Sequence, residues 1–201
     1  MKHTAIDLIM ITGIILSFAL GSFRSFAQEC ENVRQDVIRL HIPANSDSYE
    51  DQQIKLKLRD HILKEYGTQL SSENTTEAAV DTIRVMLPEI QTSCCDFLDD
   101  HGMDYTAKAE LTEMYFTTRT YENVTLPAGT YTALRITLGS GEGQNWWCVM
   151  FPPLCIPSAS QTREKAEASL PDSMMNNNEN HGVQVKFAVF EFFRWFINGC
   201  R

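Results

Sequence analysis

Apolar and polar positions change rhythm several times along the chain, and each rhythm predicts an element. In "DVIRLHIPAN", Asp36 to Asn45, Val37, Ile38, Leu40 and Ile42 are interleaved with polar residues up to a proline, the pattern of a strand. Ser48 stands three positions before Asp51, close to a Ser-x-x-Glu capping box, and opens a period of four carried by Ile54, Leu58, Ile62 and Tyr66. Leu56, Leu63 and Leu70 widen that stripe, and Gly67 is expected to end the helix. A second helix starts at Thr75 or Thr76, turns Ala79, Ile83, Met86, Leu87, Ile90 and Phe97 inward, kinks at Pro88 and stops at Gly102.

From Asp104 the period falls to two. "YTAKAELTEMYFTTRTY" alternates through Ala107, Ala109 and Leu111 and, after a shift, through Tyr115 and Thr117, which predicts a long strand with a bulge. "LPAGTY" reads as a turn, with Pro127 fixing φ and Gly129 free to take positive φ. "YTALRITLG" and "NWWCVMF" are strands around a "SGEGQ" loop. Three strands in succession with short connections predict an antiparallel meander. Residues 158–182 are polar and read as a mobile surface excursion, and Val183 to Gly199 as a short strand passing into an amphipathic helix with Phe190, Phe193, Phe196 and Ile197 inward. The fold class is α+β: an antiparallel sheet, meander plus N-terminal strand, with amphipathic helices packed on one face.

The first 27 residues are of a different kind. Lys2 and His3 precede an apolar run from Leu8 to Leu20, and Ser25-Phe26-Ala27 supplies small residues at the spacing of an export cleavage site. Residues 1–27 are therefore read as a signal peptide, leaving Gln28 first and residues 28–201 as one domain. The alternative is an uncleaved anchor, against which the run falls short of the roughly 18 apolar residues of a spanning helix. The net charge of −9 grows by one negative unit when Lys2, Asp7 and Arg24 leave with the leader, so no overall affinity for nucleic acid or an anionic membrane is expected.

Export permits disulfides, and the six cysteines, Cys30, Cys94, Cys95, Cys148, Cys155 and Cys200, allow 15 pairings. Cys94 and Cys95 are helical neighbours pointing apart, so a bond between them is not expected. Cys148 and Cys155 flank the sharp "FPPL" bend and form the better pair.

Candidate chemistry is thin. Gly139, Gly141 and Gly143 look like a phosphate loop only superficially, because a strand follows them and no Gly-Lys-Ser/Thr exists. Cys148 as nucleophile with His41 as base and Asn45 or Asp47 as orienting group is one reading, and a buried or bonded cysteine is the plainer one. His3, His41, His61, His101 and His181 show no metal-ligand spacing, so neither metal nor cofactor is expected. Trp146 and Trp147 point to opposite faces of their strand, and an exposed one would suit a partner contact. Glu50, Asp51 and Asp60 read as solvated surface, and the sequons at Asn74 and Asn123 weigh little.

Three segments, "VIRLHIPANSDSYEDQQIKLKLRDHIL", "TRTYENVTLPAGTYTALRITLGSGEGQNWWCVMFPPLC" and "VKFAVFEFFRWF", resemble stage II sporulation protein R of endospore-forming Firmicutes. The likeness runs from Val37 to Cys155 and resumes at the terminal aromatic stretch. It implies an exported signal made in the forespore and released into the space between the forespore and mother-cell membranes. There it triggers a membrane-embedded aspartic protease of the mother cell, which removes the pro-sequence of a sigma factor. Such a chain is an activating ligand with no chemistry of its own, no cofactor and no small-molecule substrate. The rival from another class is a cell-envelope cysteine hydrolase using Cys148 and His41, and a plainer third is an envelope-binding module without signalling.

If the first strand and the two hairpin strands share a sheet, the glycine loop and "HIPANSDS" meet at one edge. His41, Asn45, Asp47, Asn145, Trp146 and Trp147 are then the candidate partner-binding residues. The structural alternative is that Asn45, Ser46 and Asp47 only turn the chain and cap the first helix.

Overall fold

A computed structural model describes residues 2–121, 124–152 and 174. Helix α1 (Lys2–Gln35) leads into strand β1 (Ile38–Pro43), followed by helices α2 (Tyr49–Leu70) and α3 (Thr76–Asp100). Strands β2 (Ala107–Phe116), β3 (Arg119–Tyr121), β4 (Val124–Leu126), β5 (Gly129–Leu138) and β6 (Asn145–Phe151) complete the described order. The helix signals act as expected. Ser48 Oγ accepts from the Asp51 amide at 3.1 Å, and Thr75 Oγ1 accepts from the Ala78 amide at 3.2 Å. Ile54, Leu58, Ile62 and Tyr66 are all buried. Gly67 does not end α2, which runs one turn further and seats Leu70 in the core, and α3 is continuous through Pro88.

The class is α+β, but the sheet is mixed. Its order is β2-β5-β1-β6, with β1 parallel to β5 and antiparallel to β6. The expected meander therefore fails at one joint, because β5 and β6 do not pair. The reason lies in β1, whose six residues are all buried; an edge position would leave such a strand half exposed, so it belongs in the middle. The loop 139–144 is long enough to bridge the roughly 10 Å between strands that flank a third.

The expected bulge is also absent, since β2 pairs with β5 in unbroken register from Ala107↔Leu138 to Phe116↔Gly129. Tyr115 and Thr117, the positions expected inward after the shift, keep the phase of Ala107 and are exposed; the inward residues at that end of β2 lie on the other face. Ala107, Ala109 and Leu111 pack under α2 and α3, whereas Met114 and Phe116 belong to a second core on the opposite face. Gly129 is the first residue of β5 and not a turn glycine; the positive-φ glycines among the described residues are Gly102, Gly139 and Gly141.

That second core corrects the picture of helices on one face only. Phe26, Cys30 and Val33 at the end of α1, Val124 and Leu126 of the β3–β4 hairpin, and Met174 all pack on the face away from α2 and α3. Met174 falls inside the stretch expected to be a mobile excursion, and it is fully buried. The terminal strand and helix expected at Val183 to Gly199 lie outside the described residues, as does Cys155. Cys94 and Cys95 are both free, as their helical placement requires.

Candidate interaction site

Strand β1 ends under the glycine loop, and the two are laced together by backbone. The Gly143 amide donates to Ala44 O at 2.9 Å and the Ala44 amide to Gln144 O at 3.4 Å, while the Gly139 amide donates to Thr106 O at 2.9 Å. Asn45 Oδ1 accepts from the Ser140 amide at 3.0 Å, and Asp47 Oδ1 accepts from the Gln144 amide at 2.7 Å. The two loops thus do share one end of the sheet. Asn45 spends both side-chain polar atoms inside this junction and Asp47 one carboxylate oxygen, while Asp47 itself stays exposed and the cap of α2 is Ser48.

Asp51 underlies the junction and is not the solvated residue its acidic neighbours suggest. It is 5% exposed, and its carboxylate accepts from Ser46 Oγ at 2.6 Å, Asn45 Nδ2 at 3.0 Å and Tyr105 Oη at 2.6 Å. Burial pushes its pKa up, but the hydrogen bonds from Ser46, Tyr105 and Asn45 outweigh that and hold it below the usual carboxylate value. Lys55, also buried, donates from Nζ to Gln144 O at 2.8 Å, and burial lowers its pKa against the opposing pull of Asp47.

On the face away from α2 and α3, four side chains stand in one row across the sheet. Glu110 of β2 is in register with Arg135 of β5, Arg135 with His41 of β1, and His41 with Trp147 of β6. The His41 ring stacks on Trp147 at 4.2 Å between centroids and 22° between planes. Its Nε2 meets Asn145 Oδ1 at 2.9 Å, and its buried Nδ1 has no partner among the described residues. Burial lowers the His41 pKa, the Asn145 contact opposes this and Arg135 reinforces it, so the ring is neutral at neutral pH. His41, Asn145 and Trp147 are therefore brought together. Trp146 lies on the other face, under the Arg59 guanidinium at 4.3 Å from the ring centroid.

The same alternation separates the supposed catalytic pair. Cys148 is in register with Leu40 and belongs to the core under α2 and α3, one position out of phase with His41 on both strands. A strand sends neighbours to opposite faces, so Cys148 and His41 do not form a cysteine–histidine pair. Among the described residues no three His, Cys, Asp or Glu side chains gather as a metal site.

Arg39 is the residue the sequence reading passed over. It is fully buried, with its guanidinium carbon 4.5 Å from the Phe116 ring centroid, 5.1 Å from that of Tyr131 and 5.3 Å from that of Tyr121. Nη2 donates to Tyr121 Oη at 2.6 Å, which ties the β3–β4 hairpin to the sheet. Burial lowers its pKa while the two tyrosines oppose the shift. An arginine in the middle of a strand bound for burial on both faces was the available signal.

The family model described as Stage II sporulation protein R (spore_II_R) matches residues 34–162, more than half of the chain. The protein named Stage II sporulation protein R of Bacillus subtilis (strain 168) is 35% identical over 219 aligned positions, covering 96% of this chain and 97% of that one. No solved structure matches this chain.

Proposed function

The chain belongs to the stage II sporulation protein R family, and from that premise we propose that it is an exported activating ligand of sporulation. It is made in the forespore and reaches the space between the forespore and mother-cell membranes. There it engages a membrane-embedded aspartic protease of the mother cell, so that the mother-cell sigma factor precursor is processed. It works as a binding partner and performs no chemistry. The observations that carry this reading are the family match over residues 34–162 and the relative aligned over 96% of the chain, joined to an N-terminal helix that fits a signal peptide or a membrane anchor. The separation of Cys148 from His41 argues against the hydrolase built on those two residues.

Deleting the gene in a sporulating strain is expected to leave the sigma factor precursor uncleaved in the mother cell, with processing restored by the gene expressed in the forespore alone. Normal processing in the deletion strain would leave the chain as an envelope-binding module without signalling.

The fate of α1 belongs to the same proposal. Ile9, Met10, Ile11, Ile14, Leu16, Phe18 and Leu20 are exposed along it, and the helix continues past Ala27 until Cys30 and Val33 are seated in the second core. Cleavage after Ala27 removes the exposed apolar part together with Phe26 of the second core, and keeps Cys30 and Val33 as anchoring side chains. Peptide mapping of the exported, unreduced protein should give an N-terminus at Gln28 and a linked Cys148–Cys155 peptide, a bond expected to add about 2–3 kcal/mol. A chain starting at Met1 marks a retained anchor, and separate Cys148 and Cys155 peptides refute the pairing.

A further inference from the structure

With its flanking residues, the row Glu110–Arg135–His41–Trp147 sets three cationic side chains, Lys108, Arg119 and Arg135, against one carboxylate among the described residues of an otherwise acidic chain. Glu110 is the carboxylate within it, and it lies 2.7 Å from Lys108 Nζ but 3.7 Å from Arg135 Nη1. Arg135 is therefore poorly neutralised, and its buried Nε has no partner among the described residues. At the other end of the row Arg119 is exposed on β3, with its guanidinium carbon 5.8 Å from the Trp147 ring centroid and no ion pair among the described residues. Between the two guanidinium groups lies the partly exposed Trp147 ring, backed by the buried His41 ring stacked on it.

Two under-satisfied arginines on either side of an aromatic ring suit carboxylates whose aliphatic stems lie on Trp147. The two rings add no positive charge of their own, because His41 is neutral at neutral pH. We propose that this row, with Arg119, is the docking surface for an acidic segment of the polypeptide partner, its Asp or Glu carboxylates held by Arg119 and Arg135. The inference rests on the chain being an activating ligand and names the chemistry its partner presents. Arg135 sits on β5 of the four-stranded sheet, whose opposite face is a packed core, and Arg119 sits on β3 of the two-stranded β3–β4 hairpin, which the Arg39–Tyr121 hydrogen bond ties to that sheet, so both guanidinium groups have a structured support.

The probe is a fluorescein-labelled hexaglutamate peptide titrated at low ionic strength with the exported protein as recovered from cells. Binding is expected to weaken at least about tenfold in Arg119→Glu/Arg135→Glu and to persist in Arg84→Glu, an exposed substitution on α3 with the same sign of charge change. If the double reversal lowers the melting temperature, Arg119→Gln/Arg135→Gln replaces it and is expected to show the same loss. Equal binding by parent and double variant overturns the proposal. So does arginine-dependent binding to phosphatidylglycerol vesicles without binding to the peptide, which would make the face a lipid contact.

In sporulating cells the folded double variant is expected to abolish sigma factor processing, whereas Arg119→Lys/Arg135→Lys retains part of it. Full processing with the double variant, in a strain where gene deletion blocks processing, overturns the docking role. Arginine-dependent peptide binding together with normal processing after gene deletion overturns the activating-ligand reading and leaves the surface standing.

Discussion

Asp51→Ala is expected to destabilise the domain by about 2–4 kcal/mol, because it removes the acceptor shared by three side-chain donors in a buried junction. The loss would extend beyond α2. Asn45 holds the Ser140 amide with Oδ1 and Asp51 with Nδ2, so freeing one end of Asn45 loosens its grip on the glycine loop. Tyr105 Oη would be left with no acceptor at a position where burial already pushes its pKa up.

The pH dependence has a definite sign. The folded pKa of Asp51 lies below the ordinary value, so its contribution is complete above the unfolded pKa, about 3.9, and disappears as pH falls through the folded value. Melting curves between about pH 2 and pH 7 should show the parent losing its advantage over Asp51→Asn in acid. A constant gap between the two across that range would remove Asp51 from the acid transition.

Gly143→Ala is expected to be nearly as damaging, about 2–3 kcal/mol, or roughly 5–10 °C in melting temperature. The obstacle is space and not φ, since Gly143 is not among the positive-φ glycines. A Cβ there would sit 2.2 Å from Ser46 O and 3.0 Å from Ala44 Cβ. Ser46 O is backbone and is fixed by Gln52 Nε2 at 2.8 Å, so it cannot yield as a flexible side chain would. Relief requires the glycine loop to lift off the end of β1, which breaks the bonds from Gly143 to Ala44 and from Gln144 to Asp47. An unchanged melting temperature in Gly143→Ala would show that the loop is not held this closely.

Local pattern was enough for the helices. Ser48 and Thr75 cap them, and the periods starting at Ile54 and Ala79 are the buried faces, because both signals act within a few residues of chain and need no distant partner. The strands were legible for the same reason: alternation marks β1 and β2, β-branched and aromatic residues mark β5, and a short apolar run marks β6. The alternation of side chains along any strand also placed Trp146 and Trp147 on opposite faces before any partner strand was known.

Strand order was not written there. Short connections favour a meander, but burying both faces of β1 is worth more than pairing β5 with β6, and that comparison exists only once the sheet is assembled. The same assembly decided the site. It put Arg135, His41 and Trp147, separated by up to 106 positions in the chain, side by side on one face, and it sent Cys148 to the other. It turned Asp51 from one of several acidic surface residues into the acceptor of a buried junction, because its three donors come from two separate stretches, Asn45-Ser46 and Tyr105. Periodicity reports which face a residue takes; strand register, set by the whole sheet, decides which residues meet on it.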